Sequence, residues 1–398
     1  MRVLIVNKFL YPNGGSETYI FEIGKMLKRM GHEVEYFGME HEGRIVGNRA
    51  ESYTSDMDFH GSGPARFLYP FRIVYSAEAA RKIRKVLEDF RPDAVHVNNF
   101  NFQLTPSILY EVRRFEKRSG RRIRIVFTAH DYQLVCPNHL MQRADGTLCG
   151  ECLKGSAWNC AKYGCIHGSK AKSLLGSLEG WLYRHLRAYR MFDAVICPSH
   201  FMKSRLDSHP DLKGKTVVMH NFVDPKEGKA VEKEDYVLYF GRYCEEKGTD
   251  VLLEVCRKLP EIRFVFAGGG PLEDRVNAVK NVENRGFLSG EELIRTIAAA
   301  RLFVFPSRWY ENCPFAVMES QIYGTPVLAS DLGGTPELIR EGETGELYAG
   351  EDGDALKEKL LRLWQDKGLL ERYARECGNV HFDTAEEYCR KLVEIYRK

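Results

Sequence analysis

Two carboxylates eight residues apart, Glu311 and Glu319, are the side chains of this sequence with the clearest chemical use. Carboxylates accept hydrogen bonds from ribose or sugar hydroxyls, and the N-terminus of a helix between them would favour a phosphate. On spacing alone, two solvated acids on an ordinary strand–helix unit are the better explanation. Whether the two carboxylates bind a ligand therefore depends on the elements of secondary structure around them.

The residues around the pair predict one unit of a parallel α/β sheet. An apolar run at 302–305 predicts a buried strand, and Glu319 falls in the helix that follows it. A Gly-Thr-Pro break then precedes a second apolar run at 327–329 and a glycine-rich loop at 333–337. Ligands of such sheets bind beyond the carboxyl ends of the strands, which places Glu311 to face one.

Four short motifs occur together in this stretch. They are FPS at 305–307, ENCPFAVME at 311–319, GTPV at 324–327 and GGTPE at 333–337. As a set they resemble the retaining glycosyltransferases of family 4 (glycosyl transferases group 1), which have the GT-B fold. The family has a glycine-rich EGFG after the first glutamate, whereas this chain has the bulkier Asn312 and Cys313. The loop is therefore expected to fit a donor sugar differently.

The resemblance implies an α/β protein with two Rossmann-like, doubly wound parallel-sheet domains that face each other across a cleft. The acceptor-side domain is expected over 1–220, with a crossover C-terminal helix at 381–398. The nucleotide-sugar-binding domain is expected over 221–380. Charged residues at 226–235 lack an apolar pattern, which suits a boundary between domains.

The segment GRYCEEKG at 241–248 is similar to a motif of the family that holds the donor diphosphate. The resemblance gives this role to Arg242 and Lys247, beside Gly241. A leaving nucleoside diphosphate gains negative charge as the glycosidic bond breaks, and fixed cations stabilise that charge. Arginine grips phosphate bidentately, whereas lysine acts as a compact point charge. A surface arginine and lysine beside a turn are the alternative.

The other donor contacts follow from the resemblance alone. Glu319 is expected to bind the ribose, and Glu311, with the amides of its loop, to contact the transferred sugar. The loop containing Gly286 and Leu288 corresponds to the one that reads the base through main-chain groups. No catalytic metal is expected, because the two cations neutralise the diphosphate and no Asp-x-Asp follows a predicted strand.

The first half of the chain carries the acceptor side of the predicted site. Gly14 and Gly15 precede a helical pattern, where open backbone N–H groups suit an anion or a sugar oxygen, although a simple turn explains them too. His130 and Asp131 end a predicted buried strand. In the resemblance, the glycines line the cleft, His130 contacts the transferred sugar and Asp131 lies near the acceptor hydroxyl.

Five cysteines fall between residues 136 and 165, in a segment without apolar periodicity. Cysteine thiolates at such spacing can bind a structural zinc ion, which would hold together a segment that has little core of its own. Cys149, Cys152, Cys160 and Cys165 are the predicted ligands, and Cys136 is the competitor. A loop of unpaired thiols is the alternative. The resemblance does not decide between the two.

Composition limits the remaining possibilities. The 398 residues are 44% hydrophobic, enough for two domains with their own cores, and the net charge of +3 does not indicate a nucleic-acid partner. The N-terminal apolar run leads straight into a motif and has no cleavage site, so it predicts a strand and not a signal peptide. Eleven cysteines without such a signal favour a reducing compartment, and we expect a cytoplasmic protein.

Three further segments carry structural predictions. Seven basic residues between Arg113 and Arg124 form a solvated helix face or attract the inner face of an anionic membrane, which would make the protein peripheral. Residues 65–90 are predicted to be helical, with a break at Pro70. A helix predicted over 174–192 is expected to place Trp181, Leu182 and Leu186 in the core.

The predicted activity is transfer of a sugar, with retention of configuration, from a UDP- or GDP-sugar to a glycan or lipid-linked acceptor. The resemblance makes cell-surface polysaccharide synthesis the expected setting. The alternatives are a nucleotide-sugar epimerase, an inverting transferase that uses Asp131 as its base, and a non-catalytic scaffold subunit with the same fold. A scaffold would not need the phosphate-binding cations.

Overall fold

A computed structural model describes residues 1–56, 73–225, 231–350 and 352–398. The chain divides into an N-terminal unit, Met1–Met219 with Ala385–Lys398, and a C-terminal unit, His220–Thr384. Residues 226–230 of the predicted boundary and 65–72 of the predicted helix, including Pro70, lie outside the described residues.

The N-terminal unit is built on a six-stranded parallel sheet. Its strands are β1 (Arg2–Val6), β2 (Glu33–Phe37), β3 (Ala94–Val97), β4 (Arg124–Thr128), β5 (Ala194–Cys197) and β6 (Thr216–Val218). Their order is β2-β1-β3-β4-β5-β6. The strands are short apolar runs because helices cover both faces of a parallel sheet. The direction of chain progression reverses between β1 and β3, and ligands of such sheets bind at this switch point.

Six numbered helices surround this sheet, and three of them begin at a serine cap. They are α1 (Gly15–Arg29), α2 (Ala77–Phe90), α3 (Ser107–Ser119), α4 (Trp158–Tyr163), α5 (Lys170–His185) and α6 (His200–Leu206). The hydroxyls of Ser76, Ser169 and Ser199 each accept a hydrogen bond from a first-turn backbone N–H. Such caps satisfy donors that a helix leaves open at its N-terminus.

The C-terminal helix, Ala385–Arg397, belongs to the N-terminal unit. Its Tyr388 hydroxyl shares a hydrogen bond of 2.9 Å with the Tyr19 hydroxyl on α1. Its Tyr396 hydroxyl lies 2.6 Å from Nδ1 of His96 on β3. All four side chains are buried, so this helix completes the hydrophobic and polar core of the unit.

The predicted core face of α5 is wrong. Trp181 and Leu186, which the apolar stripe assigned to the core, are 44% and 51% exposed, and Leu182 is only half-buried. The face that packs inward is instead made of small and polar residues, namely Ser173, Gly176, Ser177, Glu179 and Tyr183. Small side chains let the helix approach its neighbours closely, so the helix turns its smaller face inward.

The C-terminal unit contains a second six-stranded parallel sheet. Its strands are β7 (Glu234–Arg242), β8 (Phe264–Gly269), β9 (Val282–Asn284), β10 (Ala300–Phe305), β11 (Val327–Ser330) and β12 (Gly345–Tyr348). Their order is β12-β11-β10-β7-β8-β9, which is the strand order of the dinucleotide-binding fold. The switch point lies between β7 and β10. Two Rossmann-like parallel sheets are therefore confirmed.

Helices pack on this sheet over two hydrophobic clusters. They are α7 (Thr249–Lys258), α8 (Glu273–Asn277), α9 (Gly290–Ala299), α10 (Phe315–Ile322), α11 (Gly353–Gln365) and α12 (Lys367–Cys377). Along β7, Val237 and Tyr239 join one cluster, while Tyr236, Leu238 and Phe240 join the other. This alternation follows from the two-residue period of a strand buried on both faces.

Candidate active site

Lys247 and Glu311 meet at the switch point of the C-terminal sheet. Lys247 ends a short 3₁₀ turn, Glu245–Lys247, that follows β7, and Glu311 lies in the loop after β10. The Lys247 Nζ is 2.5 Å from Glu311 Oε1, which also accepts a hydrogen bond of 3.0 Å from the Ser307 hydroxyl. The Trp309 ring lies 4.8 Å from the same ammonium. The lysine is thus positioned by a carboxylate and an aromatic face.

Two glycines allow the loops around this pair to touch. Gly248 has a φ of +69°, and a Cβ there would lie 1.8 Å from the carbonyl oxygen of Pro306. Gly333 has a φ of +65°, and its Cβ would lie 2.4 Å from the carbonyl oxygen of Glu311. Both the backbone angle and the contact therefore require glycine. The backbone N–H of Gly334 donates to the same Glu311 carbonyl at 2.6 Å.

Arg242 is the exposed last residue of β7, directly after Gly241. Within the described part of the chain, no ion pair or side-chain hydrogen bond engages its guanidinium. Its charge is therefore not neutralised by the described residues, unlike that of Lys247. A guanidinium next to a switch point suits a phosphate that arrives from outside.

The predicted ribose and base residues lie on neighbouring elements of the same unit. Glu319 is inside α10 and partly exposed. The Gly286 N–H donates to Asn284 Oδ1 at 2.9 Å, and its carbonyl accepts from the Gly268 N–H at 2.7 Å. Leu288 packs its side chain into the hydrophobic core. Any contact of Leu288 with a ligand would therefore come from its main chain.

Cys313 does not project toward a ligand, although the sequence placed it where the family has glycine. Its side chain is 5% exposed and belongs to the core of the C-terminal unit. Its sulfur accepts a hydrogen bond of 3.2 Å from the Asn221 N–H, and its carbonyl accepts one of 2.8 Å from the Asn221 amide. The bulk of Cys313 is therefore accommodated by the core of the C-terminal unit.

The glycine pair of the N-terminal unit opens a helix. Gly14 is the extended residue before α1, Gly15 is its first residue, and both are exposed. No side chain caps this helix start. The buried Glu17 carboxylate in the first turn accepts hydrogen bonds from the Asn7 amide at 2.9 Å and the Ser16 hydroxyl at 3.0 Å. Glu17 thereby ties the helix start to the end of β1.

His130 and Asp131 follow β4 and differ in charge. Burial lowers the pKa of His130 to about 4, against the opposing pull of Asp131, so the imidazole is neutral at pH 7. Its Nε2 lies 2.9 Å from Asn98 Oδ1. Burial alone would raise the pKa of Asp131, but the hydrogen bond and charge of His139 and other partners lower it. The two residues thus form a neutral and an anionic group side by side.

Two residues that the sequence analysis did not select complete this group. His139 Nδ1 lies 3.4 Å from Asp131 Oδ2. Burial lowers the pKa of Lys8, while the nearby charges of Asp131 and Glu17 raise it. Lys8 follows β1 at the same edge of the sheet as the end of β4. Lys8 comes just after the predicted first strand, so strand-end position was a signal for it, whereas His139 lies well beyond the end of β4 and had no such signal.

His96 has a structural role. Its Nε2 lies 2.7 Å from the Thr128 hydroxyl and its Nδ1 bonds with Tyr396, and the ring is fully buried. Burial lowers its pKa to about 3. These contacts tie β3 to β4 and to the C-terminal helix, inside the core of the N-terminal unit.

The basic run at 113–124 is paired with acids of the same unit. Arg113 and Arg122 approach the two oxygens of Asp193 at 2.8 and 2.7 Å. Arg121 pairs with Asp93 at 2.9 Å, and Arg118 approaches Glu111 at 3.4 Å. These pairs reduce the positive charge that the face presents to a partner.

The five predicted zinc-binding candidates converge. Cys136, Cys149, Cys152, Cys160 and Cys165 all line one cavity of about 10 Å³. All five are free thiols, and four of them are buried. The four predicted ligands and Cys136, the alternative ligand, thus surround the same cavity in the N-terminal unit.

Two family models match the chain. The model of Glycosyltransferase Family 4 matches residues 13–227, more than half of the chain, and that of Glycosyl transferases group 1 matches residues 222–378. The chain belongs to glycosyltransferase family 4. The resemblance stated from the motifs is thereby confirmed.

Individual relatives of this family 4 member are distant. An uncharacterized glycosyltransferase of Methanocaldococcus jannaschii is 28% identical over 210 residues, which cover 51% of this chain and 58% of that protein. The match thus spans less than two thirds of the relative.

Solved structures show the GT-B fold along the whole chain. Alr3699/HepE of Anabaena in complex with UDP-glucose has a TM-score of 0.66, 16% identity and 99% coverage of both chains. WaaG, a glycosyltransferase involved in lipopolysaccharide biosynthesis, has a TM-score of 0.66, 15% identity and 99% coverage of both chains. In the described residues, no helix of this family 4 member is both long and apolar enough to cross a membrane.

Proposed function

We propose that the protein is a retaining glycosyltransferase. It moves a sugar from a UDP- or GDP-sugar to a hydroxyl of a glycan or lipid-linked acceptor in cell-surface polysaccharide synthesis. The observation that carries the proposal is the pair of cations, Lys247 and Arg242, at the switch point of the C-terminal sheet. A binding module without phosphate chemistry has no need of two such cations at that position.

Lys247 and Arg242 hold the diphosphate in this proposal. Arg242 is exposed and its charge is not neutralised by the described protein, so it is the first contact for an incoming phosphate. Lys247 is held by Glu311, and a phosphate oxygen would compete with that carboxylate. As the anomeric carbon leaves the phosphate oxygen, both cations stabilise the charge that develops there. Because they neutralise the diphosphate, no divalent cation is needed.

In this proposal Glu311 positions other groups and is not the nucleophile. Its Oε1 is engaged by Lys247 and by the Ser307 hydroxyl, so its role is to position the lysine and the loop that faces the sugar. The bond from the acceptor oxygen to the anomeric carbon forms as the bond to phosphate breaks. The hydroxyl proton then passes to the departing phosphate oxygen, on the same face of the sugar, which gives retention.

His130 and Asp131 serve the acceptor side. A neutral imidazole exchanges hydrogen bonds with a sugar hydroxyl without adding positive charge, and burial keeps His130 neutral at pH 7. Asp131 is anionic and orients a hydroxyl, but its oxygens already accept from the Gln133 N–H and approach His139. These bonds favour an orienting role over that of the base in an inverting reaction.

Glu319 and Leu288 contact the rest of the nucleotide. The Glu319 carboxylate would accept hydrogen bonds from the ribose hydroxyls, and the main chain of Leu288 would meet the base. The UDP-glucose bound by Alr3699/HepE supports a uridine donor, and the role of WaaG in lipopolysaccharide biosynthesis supports a cell-surface product.

The test is nucleotide release from a panel of UDP-, GDP- and ADP-sugars, with EDTA present and a range of glycan and lipid-linked acceptors. We expect release from one donor, and we expect NMR of the product to show the anomeric configuration of the donor. Inversion of configuration would refute the retaining mechanism. Absence of both turnover and diphosphate binding would refute the enzymatic proposal.

Peripheral membrane association remains a prediction and has its own test. Because the arginines at 113–124 are paired with acids, we expect only weak co-sedimentation of the protein with anionic vesicles. Added salt should abolish this co-sedimentation. Equal sedimentation with neutral vesicles would contradict an electrostatic origin.

A further inference from the structure

The segment between β4 and α5 has a core made largely of sulfur. Its hydrophobic cluster consists of Cys152, Cys160 and Cys165, with Tyr163 and Ile166 packed beside it. Three thiols and two partly buried side chains bury little apolar surface. Segments of this kind usually need a cross-link or a metal ion to hold one conformation.

The segment nevertheless holds a specific conformation. His139 and Met141 have φ values of +61° and +51°, in the left-handed region that non-glycine residues rarely adopt. Such angles persist where the surroundings fix the backbone. The His139 carbonyl accepts a hydrogen bond from the Tyr132 N–H at 3.0 Å, and the Met141 carbonyl accepts one from Cys149 at 2.7 Å. The second of these hydrogen bonds connects the strained backbone at Met141 to Cys149.

The cavity among the thiols is small. Its volume of about 10 Å³ is close to the lower limit for one water molecule. All five cysteines contribute to its lining, together with Tyr163. Thiolates are the preferred ligands of a structural zinc ion, so the chemistry of this lining fits that ion.

Two short elements present the four ligands. Cys149 and Cys152 flank the start of the 3₁₀ turn Glu151–Lys154, so one turn supplies two sulfur atoms. Cys160 lies in α4, and Cys165 follows that helix, where its N–H donates to the Cys160 carbonyl at 3.1 Å. Local turns that carry paired cysteines are the usual way in which a chain builds a zinc site.

We propose that Cys149, Cys152, Cys160 and Cys165 bind one structural zinc ion. The four thiols lose their protons on binding, and no oxidant or reductant takes part. The resulting site carries two negative charges, and the Arg143 guanidinium beside the Cys149 thiol, stacked 3.9 Å from the Tyr163 ring, offsets part of them. Four thiolates leave no open position, so the ion is structural.

Zinc binding requires the sulfur atoms to move closer together. Among the described residues, no three of these thiols all lie within 4.8 Å of one another. Tetrahedral coordination places sulfur atoms about 3.8 Å apart, given zinc–sulfur bonds of about 2.3 Å. The cysteines lie on short turns and a two-turn helix, and the proposal requires these elements to adjust until four sulfur atoms surround the ion.

The zinc ion would also support the acceptor-side residues. The segment begins immediately after Asp131 and returns through His139, which contacts the Asp131 carboxylate. The Cys136 N–H donates to the Tyr132 carbonyl at 2.8 Å, one residue beyond Asp131. A cross-link among the cysteines therefore limits the movement of the loop that holds Asp131 and His139.

The test is metal analysis of the full-length protein purified under reducing conditions without chelator. We expect one zinc ion per chain by elemental mass spectrometry. After replacement by cobalt, we expect the thiolate-to-metal absorption of a tetrahedral four-thiolate site. Chelation should lower the unfolding temperature, and added zinc should restore it. These readouts do not depend on the proposed transferase activity.

Single variants test the ligand assignment. We expect Cys152→Ala and Cys149→Ala to lose the zinc, while Cys136→Ala in the same cavity keeps it. Cys377→Ala, a buried free thiol of the C-terminal unit, is the control and should also keep it. If a ligand variant does not fold, the cobalt spectrum of the unchanged protein remains decisive.

Three results would overturn the site. They are a zinc-loaded preparation that retains no stoichiometric metal, a cobalt spectrum without thiolate absorption, and a disulfide between two of these cysteines in the native protein. Zinc that survives in Cys149→Ala but is lost in Cys136→Ala would overturn the ligand set.

Discussion

Lys247 and Glu311 form an ion pair of 2.5 Å across the switch point of the C-terminal sheet, although 64 residues separate them. The Glu311 side chain is only 11% exposed, so the pair is shielded from solvent and from salt. A phosphate that displaces the carboxylate would exchange one buried ion pair for another. The carboxylate therefore fixes the position of the lysine, and in the proposed mechanism it does so before the donor arrives.

Replacing this lysine tests the diphosphate role. Lys247→Ala should lower turnover by about 100-fold or more, because it removes a fixed charge from the position where charge develops. The Lys247→Ala/Glu311→Ala double variant should turn over no more slowly than Lys247→Ala alone, because the two side chains act as a unit. Lys258→Ala, which breaks an exposed pair with Asp354, is the control and should turn over normally. Near-normal turnover of Lys247→Ala with an intact fold would exclude the role.

Arg242 should contribute to the binding of the donor phosphates and not to the binding of the nucleoside. Arg242→Ala should weaken binding of the donor nucleoside diphosphate by about 10-fold or more, since it loses a charge-assisted contact of about 1.5–3 kcal/mol. Affinity for the corresponding nucleoside should not change. The unfolding temperature should also stay the same, because the exposed guanidinium forms no ion pair with the described protein. Calorimetric titration with both ligands measures the difference, and equal loss for both would place Arg242 elsewhere.

Gly248 should tolerate no side chain. Gly248→Ala combines an unfavourable φ of +69° with a Cβ 1.8 Å from the Pro306 carbonyl, so we expect a loss of about 3 kcal/mol or more in the free energy of unfolding. Gly342→Ala is a matched control in the same unit, with a φ of +79° and no atom within 4 Å of its Cβ. It should cost about 1 kcal/mol. Denaturant unfolding measures both, and equal losses would show that the contact with Pro306 is easily relieved.

The buried His96 should make the N-terminal unit sensitive to acid. The pKa is about 3 in the folded protein and 6.5 in the reference state, so the unfolded chain binds the extra proton between these values. Stability attributable to His96 is therefore complete above pH 6.5 and falls by about 1.4 kcal/mol per pH unit below it. His96→Gln should flatten this decline, whereas His185→Gln, which removes an exposed imidazole, should not. An unchanged slope in His96→Gln would assign acid sensitivity to other groups.

The strand ends could be predicted from the sequence because parallel sheets bring them together. Apolar runs located β7 and β10, and the residues that follow each run, Arg242, Lys247 and Glu311, meet at one edge. The partner of each side chain could not be predicted. Nothing in the local pattern shows that Glu311 holds Lys247, because that contact depends on a loop geometry set by Gly248 and Gly333.

The orientation of side chains escaped prediction where two faces could be buried. The apolar stripe of α5 suggested a core at Trp181, but the opposite face of small residues packs inward. Periodicity shows that a helix has two faces, not which one its neighbours can approach. The bulk of Cys313 was likewise expected to change the fit of a donor sugar, although its sulfur turns into the core to meet Asn221. Tertiary contacts decide both cases.

The position of the last helix in the sequence sets the order in which the two units can complete folding during synthesis. Because Tyr388 and Tyr396 supply core contacts of the N-terminal unit, that unit cannot finish folding when its first 219 residues leave the ribosome. The C-terminal unit, continuous in sequence from His220 to Thr384, is synthesised whole before the missing helix appears. The first unit to emerge is thus the last to be completed, because its final helix is synthesised only after the whole of the second unit.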